Sequence, residues 1–364
     1  MAELTTGLVK QAAFEAGADL CGIGSLDRFE GAPKDMDPRY LFPAAKAVIG
    51  LGFRIPRGVQ RGIEEGTQFF QYPSLAYGGI NEIYGPAVLY RLGCFIEDHG
   101  YEAMVYRNTG ARGAVSDMDG LPGNTLSPEE QIAVNEHAKT KAAHHRTVQY
   151  TRPVKPDTAA PDLQFHFRLA AVACGLGEIG WSNLLLTSRF GPLQRVAFIF
   201  TDAPLEPDPL YSGPPLCLHC MACVRECPGG CISKDESVTV TVGGKECKYG
   251  KLDAWRCYAF YTHCGPEHDP FVPQEVFEEN KNGDLDLLLG KAPANEKEIL
   301  KVYTALEKYF PPWVGYNTAK CGGCIGACIG MLEKTGCLKE KFHSPLRSQK
   351  KWKFNVEKAK SDDR

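Results

Sequence analysis

Residues 217–228 read Cys-Leu-His-Cys-Met-Ala-Cys-Val-Arg-Glu-Cys-Pro. Cys217, Cys220, Cys223 and Cys227 follow the C-x2-C-x2-C-x3-C-P spacing, in which three thiolates bind one [4Fe–4S] cluster and the fourth binds a second cluster. A tight loop lets the first three sulfurs face three irons of one cube, and Pro228 ends the turn. This stretch therefore predicts two iron–sulfur clusters, with a structural zinc site as the alternative.

The remaining ligands must come from other parts of the chain. The second cluster needs three thiolates beside Cys227, and the first cluster needs one more. Cys321, Cys324 and Cys328, spaced C-x2-C-x3-C, supply three of them. Spacing alone leaves the last position open among five cysteines, which are Cys231, Cys247, Cys257, Cys264 and Cys337.

The composition is that of a globular protein with a hydrophobic core. The 364 residues are 43% hydrophobic and carry 44 acidic and 41 basic side chains, a net charge of −3. Disorder, collagen and coiled coil are excluded, and a net charge so near zero argues against a general nucleic-acid binder. Of the 15 cysteines, three precede residue 217 and twelve follow from there. The chain thus has a cysteine-poor body and a cysteine-rich end.

The N-terminal residues 1–6 contain neither a basic segment with an apolar run nor a twin-arginine pair. No segment reaches the roughly 18 apolar residues that a membrane span needs. We therefore expect a cytoplasmic protein that does not contact a membrane and whose cysteines are reduced rather than paired in disulfides.

Apolar periodicity before residue 204 alternates strands with helices, which predicts an α/β (α+β) layer. The continuously apolar run Val196–Phe200 predicts a strand covered on both faces. The expected elements are helices at 6–16, 80–99 and 163–174, and strands at 20–23, 47–51, 101–106, 183–187 and 196–201.

The chain divides into three parts by composition. We expect an α/β domain at 1–210, a cluster domain at 211–345 and a basic tail at 346–364. Five prolines between Pro204 and Pro215 suggest a hinge between the two domains. The Gly- and Pro-containing insertion 108–161 suits a lid over a ligand, with a plain surface insertion as the alternative.

Gly175, Gly177 and Gly180 match the G-x-G-x-x-G pattern of dinucleotide sites. Such a site requires a strand before the glycines and a helix after them. The predicted order is reversed here, which argues against a dinucleotide.

Two longer stretches resemble a known family. Residues 253–258, Asp-Ala-Trp-Arg-Cys-Tyr, look like a segment of epoxyqueuosine reductases in which the cysteine ligates the second cluster. Residues 166–208 resemble the corrinoid-binding core of the family that contains epoxyqueuosine reductases and reductive dehalogenases. The shared features are Gly-Leu-Gly at 175–177, Phe190-Gly191-Pro192 with Arg195, and Thr201-Asp202 followed by Pro204-Leu205. The forms at 175–178 and 190–195 are closer to the dehalogenases.

This resemblance implies a nitroreductase-like core that binds base-off cobalamin, followed by a ferredoxin-like double-cluster module. It assigns Cys217, Cys220, Cys223 and Cys328 to one cluster and Cys227, Cys257, Cys321 and Cys324 to the other. The corrinoid would contact Gly175, Leu176, Gly177, Gly180, Trp181, Ser182, Asn183, Arg195 and Thr201, where glycines permit close approach to a bulky ring. The absence of an Asp-x-His-x-x-Gly motif agrees with a base-off cofactor. A low-potential donor such as ferredoxin or flavodoxin would supply electrons.

The resemblance leaves the proton donor open. Asp162 lies near the position of the aspartate of epoxyqueuosine reductases, and His166 titrates near neutrality. Dehalogenases use a tyrosine with a nearby Arg or Lys, for which Tyr101, Tyr106 and Tyr150 are candidates. The alternative for each of these residues is a purely structural role, as a helix cap for Asp162 or as a half-buried side chain for the histidine and the tyrosines.

Two charged residues near the glycines have alternative roles. Arg195 would bind an anionic substrate or a corrinoid side chain, or would pair with Asp202. For Glu178 a structural role in the turn is expected.

Three functions fit these features. The first is a corrinoid-dependent reductase of a small organic molecule, similar to a reductive dehalogenase. The second is epoxyqueuosine reductase acting on tRNA, against which stand the lack of basic excess and the mere 36 residues after Cys328. The third is a two-cluster electron carrier or an activator of corrinoid proteins. We expect the first, with a small-molecule substrate and no nucleic acid.

Overall fold

A four-stranded antiparallel sheet forms the centre of the fold. The computed structural model describes residues 3–32, 36–108, 165–269, 271–309 and 321–347. The strands, in chain order, are β1 (Leu20–Ser25), β2 (Ala47–Arg54), β3 (Ala103–Tyr106), β4 (Glu178–Ile179), β5 (Leu185–Leu186), β6 (Gln194–Thr201), β7 (Ile232–Val242) and β8 (Lys245–Leu252). The main sheet has the order β1-β2-β6-β3, while β4-β5 and β7-β8 form two separate antiparallel ribbons.

Helices pack on both faces of this sheet. In chain order they are α1 (Thr6–Ala16), α2 (Pro38–Leu41), α3 (Arg57–Glu65), a π-helix (Tyr72–Tyr84), α4 (Gly85–Asp98), α5 (Phe167–Ala173), α6 (Ala222–Arg225), α7 (Ala254–His263), α8 (Gln274–Glu279), α9 (Glu296–Leu306) and α10 (Gly323–Lys334). Short 3-10 turns occur at Leu26–Phe29 and Glu307–Tyr309.

Strand β6 is buried on both faces, as its apolar run predicts. Ala197 and Ile199 point into one core, which they share with α1, α4 and α10. Val196, Phe198 and Phe200 point into the opposite core, against which α5 packs. Because side chains alternate along a strand, residues of odd and even number on β6 belong to different faces of the sheet.

The predicted α+β class is confirmed, although strand pairing differs from what simple alternation suggests. Every pairing in the main sheet is antiparallel. Strands that alternate with helices usually pair in parallel, but here β2 lies antiparallel between β1 and β6, and β6 also pairs antiparallel with β3. The predicted helix 80–99 is also wrong at its start, since the π-helix covers residues 72–84 and Pro86 stands in the first turn of α4.

The proline-rich segment is anchored to the body rather than free to act as a hinge. Asp208 accepts a hydrogen bond of 2.8 Å from the backbone N of Ile23 and forms an ion pair with Lys10. The backbone N of Asp208 donates to the carbonyl of Ile23 at 2.8 Å, and Arg28 donates to the carbonyl of Asp208. These contacts fix the segment along β1.

Helix α10, near the C-terminal end of the described chain, packs into the N-terminal core. Ile329 and Leu332 share one buried cluster with Val9 of α1 and Leu92 of α4. Arg57 of α3 forms an ion pair of 2.5 Å with Glu333. Two of the distant cysteines are therefore carried on a helix that is part of the main core. Among the described residues, no helix is both long enough and apolar enough to cross a bilayer.

Candidate functional site

Four cysteines from distant parts of the chain line one cavity. Cys217, Cys220, Cys223 and Cys328 line a cavity of about 30 Å³, beside Trp181. Burial raises the pKa of the Cys328 thiol, and the neighbouring thiols of Cys217, Cys223 and Cys220 raise it further. A thiol held in this way stays protonated until a metal or cluster takes the place of its proton. We call these four residues the first cysteine group.

A second group of four lies next to the first. Burial raises the pKa of Cys324, and the thiols of Cys321, Cys257 and Cys227 add to this effect. Cys257 lies in α7, whose N-cap is Asp253, with a hydrogen bond of 2.9 Å from the backbone N of Arg256 to Asp253 Oδ1. We call Cys227, Cys257, Cys321 and Cys324 the second cysteine group.

Helix α10 contributes one cysteine to each group. Cys324 and Cys328 are one turn apart on the same side of this helix, because residues at i and i+4 are neighbours on a helix surface. The helix begins against the first cysteine motif. A Cβ on Gly323 would lie 2.5 Å from the carbonyl oxygen of Glu226, so only glycine permits this approach. The segment Cys-Gly-Gly-Cys at 321–324 is therefore shaped by packing as well as by its thiols.

A further cysteine lies within the second group. The backbone N of Cys231 donates a hydrogen bond of 3.2 Å to Sγ of Cys227. The thiol of Cys231 is in hydrogen-bonding contact with the sulfurs of both Cys227 and Cys257, and its hydrogen bond lowers the pKa of Cys227 to about 6. Cys174, Cys231, Cys247 and Cys264 are buried, as expected of small apolar residues, whereas Cys94 is exposed.

The donor set fits the clusters that the sequence predicts. Two sets of four thiols, each drawn from both cysteine motifs, match the ligand requirement of two [4Fe–4S] clusters. Within the described part of the chain, no three His, Cys, Asp or Glu side chains are arranged to hold a single metal ion.

The loop of the first group is held by residues that follow the glycine turn. Glu178 Oε1 accepts hydrogen bonds from the backbone N of Leu216 at 2.6 Å and of Cys217 at 2.7 Å. The backbone N of Trp181 donates to Cys217 Sγ at 3.2 Å, and its indole Nε1 donates to the carbonyl of Ser233 at 3.0 Å. Glu178 thus has the structural role expected of it. Trp181, expected at the corrinoid, also forms a wall of the first cysteine group.

The glycines of the turn do not border open space. A Cβ on Gly175 would lie 2.4 Å from the carbonyl oxygen of Pro209, and one on Gly177 would lie 2.0 Å from that of Leu186. Gly180 faces the side chain of Leu186 at 2.9 Å. These glycines thus have a packing reason within the protein, and their expected close approach to a bulky ring stays a prediction. They permit close packing of the turn on its own protein neighbours.

Arg195 lies in a buried aromatic site on the other side of the sheet from α5. Its guanidinium carbon lies 3.6 Å from the centroid of the Tyr77 ring and 6.0 Å from that of Tyr72. Nε donates to the carbonyl of Ala76 at 2.9 Å, whereas Nη2 is buried without a hydrogen-bond partner among the described residues. Asp202, at the far end of β6, accepts instead from the backbone N of Glu102. The alternative pairing of Arg195 with Asp202 is therefore wrong.

The aromatic site borders the second cysteine group. Burial raises the pKa of Tyr72, an effect that Arg195 opposes and that Tyr77 and Cys324 reinforce. The ring of Tyr261 lies 5.9 Å from that of Tyr77, and its hydroxyl is buried without a hydrogen-bond partner in the described chain. Sequence reasoning missed these three tyrosines. For Tyr72 and Tyr77 the available signal was the density of aromatic and small residues at 69–84, of which Tyr72–Tyr84 form a π-helix, a form common at functional sites.

Of the expected proton donors, Tyr106 and His166 are described by the structure, and both lie in or beside the core of α5, on the other face of the sheet from Arg195. Tyr106 lies 5.8 Å from Phe165 and 5.9 Å from Phe200, in the core that contains α5. His166 caps α5, where its Nδ1 accepts from the backbone N of Leu169 at 3.2 Å. Burial and the charge of Arg168 lower its pKa, so the ring is neutral. Asp162, Tyr150 and most of the insertion 108–161 lie outside the described residues.

The other residues expected at the corrinoid do not lie together in one site. Ser182 lines the cavity of the first cysteine group. Asn183 adopts a positive φ of 59°, and its Oδ1 is buried without a partner in the part of the chain that the structure describes. Thr201 is buried, and its hydroxyl accepts from the backbone N of Ala203 at 3.1 Å. Asn183 Oδ1 and Arg195 Nη2, which lack hydrogen-bond partners among the described residues, could bind a polar cofactor. The hydroxyl of Thr201 is already hydrogen-bonded within the protein.

Comparison with curated proteins shows where the sequence similarity lies. The chain is 30% identical over 161 residues to tetrachloroethene reductive dehalogenase of Desulfitobacterium hafniense, which covers 40% of this chain and 27% of that protein. It is 33% identical over 161 residues to the enzyme of the same name from Dehalobacter restrictus. The resemblance to reductive dehalogenases is confirmed. The chain spans about a quarter of the length of these dehalogenases, and no family model matches it.

Solved structures of two enzyme classes align with this chain at TM-scores below 0.5. A catabolic reductive dehalogenase aligns with a TM-score of 0.42 and 15% identity, over 83% of this chain and 36% of that protein. An epoxyqueuosine reductase with an epoxyqueuosine-modified tRNA stem loop aligns with a TM-score of 0.39 and 14% identity, over 92% and 94% of the two chains. The expectation that nucleic acid is not a partner gains no support from these comparisons.

Proposed function

We propose that this protein is an iron–sulfur, corrinoid-dependent reductase that acts on a small organic molecule, as reductive dehalogenases do. One observation carries the proposal. Two groups of four cysteines lie next to each other, and the second group borders Tyr72, which lies beside a buried arginine with an unsatisfied N–H. A cluster bound by the second cysteine group would thus lie near the positive charge of Arg195.

The two cysteine groups would hold two [4Fe–4S] clusters, one each. The corrinoid would contact the polar atoms of Asn183 and Arg195 and the loop 180–182, which adjoins the first group. Bound cobalamin supplies a low-valent cobalt that transfers electrons to a substrate, while the protein supplies binding, orientation and a proton. A low-potential electron carrier would reduce the clusters.

Arg195 is suited to bind an electron-rich or anionic group of the substrate. Burial opposes the charged form of its guanidinium, but the hydroxyls of Tyr77 and Tyr72 outweigh this effect and raise its pKa. It therefore stays positive at every physiological pH. The stacking on Tyr77 fixes the plane of the guanidinium, and Nη2 remains available to a ligand.

Tyr72 is our candidate for the proton-bearing group, in place of Tyr106 and His166. It is 2% exposed, and its raised pKa keeps the hydroxyl protonated near neutrality. After proton transfer its phenolate would lie beside Arg195, whose charge would stabilise it. This arrangement matches the tyrosine with a nearby Arg that the resemblance to dehalogenases leads us to expect.

The test is anaerobic turnover by protein reconstituted with iron, sulfide and cobalamin and reduced with a viologen. The substrate panel comprises aryl and alkyl halides and, separately, epoxyqueuosine-containing tRNA. We expect turnover of at least one halide, cobalamin in stoichiometric complex and about eight irons per chain. Turnover of the tRNA alone would contradict the small-molecule proposal, and failure to bind cobalamin would leave an electron carrier.

Two variants test the aromatic site. Tyr72→Phe and Arg195→Gln should each lower turnover by about a hundredfold or more, within the range of a lost proton donor or charged contact. Iron content should not change. Tyr90→Phe, whose residue is 70% exposed on α4, is the matched control and should turn over normally. Equal activity of all three variants would exclude this site.

A further inference from the structure

A second, larger cavity lies on the surface behind the first cysteine group. It has a volume of about 480 Å³ and is formed by α6, α10 and the segment 338–347. Its apolar floor consists of Ala222, Ala327, Met331, Leu338 and Phe342. We call it the α6/α10 groove.

The groove adjoins the first cysteine group directly. Met331 lines both cavities, so the two are adjacent at this residue. Arg225, at the rim of the groove, donates a hydrogen bond of 2.8 Å to the carbonyl of Cys220. On the outer side of the same loop, Leu218 is 41% exposed and His219 is also exposed. Of the two cysteine groups, the first is therefore the one bordered by an open groove, while the second adjoins the buried aromatic site.

The rim of the groove carries more positive than negative charge that is free of an ion pair among the described residues. Each of its three carboxylates is paired with an arginine, in the pairs Glu226–Arg347, Glu333–Arg57 and Glu340–Arg189, and Arg347 also pairs with the buried Glu64. Arg225, Lys334 and Lys341 are exposed and pair with no carboxylate among the residues that the structure describes. The rim thus carries three positive charges that are not neutralised, around an apolar floor.

We propose that the α6/α10 groove is the docking surface for an acidic electron-carrier protein. The inference rests on the proposed function, since it requires a cluster in the first cysteine group. A carrier with a carboxylate-rich surface would be attracted by the three cations, and its apolar contact would cover Met331 and Phe342. One electron passes from the reduced carrier to the oxidised cluster; the carrier is oxidised by one electron, the cluster is reduced by one, and no bond is made or broken.

The experiment measures the rate at which reduced flavodoxin, the acidic probe, reduces the reconstituted protein. The test variant is Lys334→Glu/Lys341→Glu, which leaves Arg225 and its bond to the cysteine loop in place. The control is Lys248→Glu/Lys297→Glu, two exposed lysines of β8 and α9 outside both cavities, which changes the net charge equally. Stopped-flow bleaching of the cluster absorbance gives the second-order rate constant.

We expect the test variant to lose about tenfold or more in rate at low ionic strength, and the control to stay within about twofold of the wild type. Raising the salt from ~20 to ~500 mM should slow the wild type and leave the test variant nearly unchanged, because salt screens the attraction. Dithionite, a small reductant, should reduce all three proteins equally. Lys334→Gln/Lys341→Gln should lie between the wild type and the charge-reversed variant.

Three outcomes would overturn the inference: equal rates for the test variant and wild type, equal slowing by the control, or a wild-type rate that is independent of salt. These outcomes are distinct from a failure of the proposed function. If reconstituted wild type holds no clusters by iron content and electron paramagnetic resonance, the function proposal fails. If clusters are present and dithionite reduces them, only the docking inference is at stake.

Discussion

Glu178 and Cys217 lie 39 residues apart in the chain, yet a hydrogen bond of 2.7 Å joins the carboxylate oxygen of Glu178 to the backbone N of Cys217. The same oxygen accepts from Leu216. The turn that follows α5 therefore holds the start of the cysteine loop in place.

Removing this carboxylate should loosen the first cysteine group. Glu178→Ala leaves two backbone N–H groups without their acceptor, which should cost about 1–3 kcal/mol in the free energy of unfolding. We expect faster loss of iron to a chelator, followed by absorbance, with an unchanged electron paramagnetic signal from the other cluster. Glu246→Ala, an exposed residue of β8, is the control. Equal iron retention by both variants would contradict the assigned role.

The two cysteines of α10 should control different clusters. Cys328→Ala should abolish the cluster of the first cysteine group, and Cys324→Ala that of the second, each leaving about four irons per chain. Cys247→Ala, a buried cysteine outside both groups, should retain about eight irons. Iron and sulfide analysis with paramagnetic resonance distinguishes the cases. The grouping is wrong if both α10 variants lose the same signal.

Cys231 should influence the reduction potential of the second cluster without being one of its ligands. Its thiol contacts the sulfurs of Cys227 and Cys257, and hydrogen bonds to cluster sulfurs favour the reduced, more negative state. Cys231→Ala should therefore keep full iron content but lower the reduction potential of that cluster in a redox titration. Cys231→Ser retains a donor and should shift the potential less. Loss of iron from either variant would instead identify Cys231 as a ligand.

His166 should make stability depend on pH. Its pKa is lowered in the folded protein, first by burial and then by Arg168, and its neutral Nδ1 caps α5. Below roughly pH 6.5 the imidazole of His166 is protonated in the unfolded chain, whereas in the folded chain it stays neutral until a lower pH. This stabilisation is therefore complete above that pH and is lost as the pH falls through the folded pKa.

The corresponding variant is His166→Asn, which keeps an N-cap acceptor but does not titrate. Urea unfolding between about pH 5 and 8 should show a smaller pH dependence than in the wild type. His166→Ala, which removes the cap, should lose about 1 kcal/mol at neutral pH. His343→Asn, at an exposed histidine, should behave as the wild type. An unchanged pH profile for His166→Asn would show that another group titrates.

Several features of the fold could be predicted because they depend on local sequence. Helix α1 begins at its Thr5 cap and ends at Gly17, whose φ of 115° favours glycine. The run Val196–Phe200 predicts a strand buried on both faces, and β6 is one. The start of α4 could not be predicted in this way, since the apolar pattern of a π-helix differs little from that of an α-helix over a few residues.

The candidate site residues were harder to predict because their positions depend on the face of the sheet. Tyr106 and Arg195 are both on strands of the main sheet, but Tyr106 pairs with Phe198 and shares its face, whereas Arg195 shares the face of Ala197. A one-residue difference in register decides which side of the sheet a side chain reaches. Strand pairing across the long insertion is not visible in the sequence, so Tyr72 and Tyr77 could not be connected with Arg195.

By itself, the sequence determined that the protein carries cysteines for two clusters, because ligand spacing within a tight loop is local chemistry. It also determined the α+β class, because periodicity is local. Only the tertiary structure decided that Cys328 lines one cavity with the first cysteine motif, that the turn glycines pack closely on protein neighbours, and that Arg195 meets Tyr72 and Tyr77. Those relationships arise from the packing of α10 and the π-helix against the sheet, and packing between distant segments follows from the sum of many weak contacts that no single motif encodes.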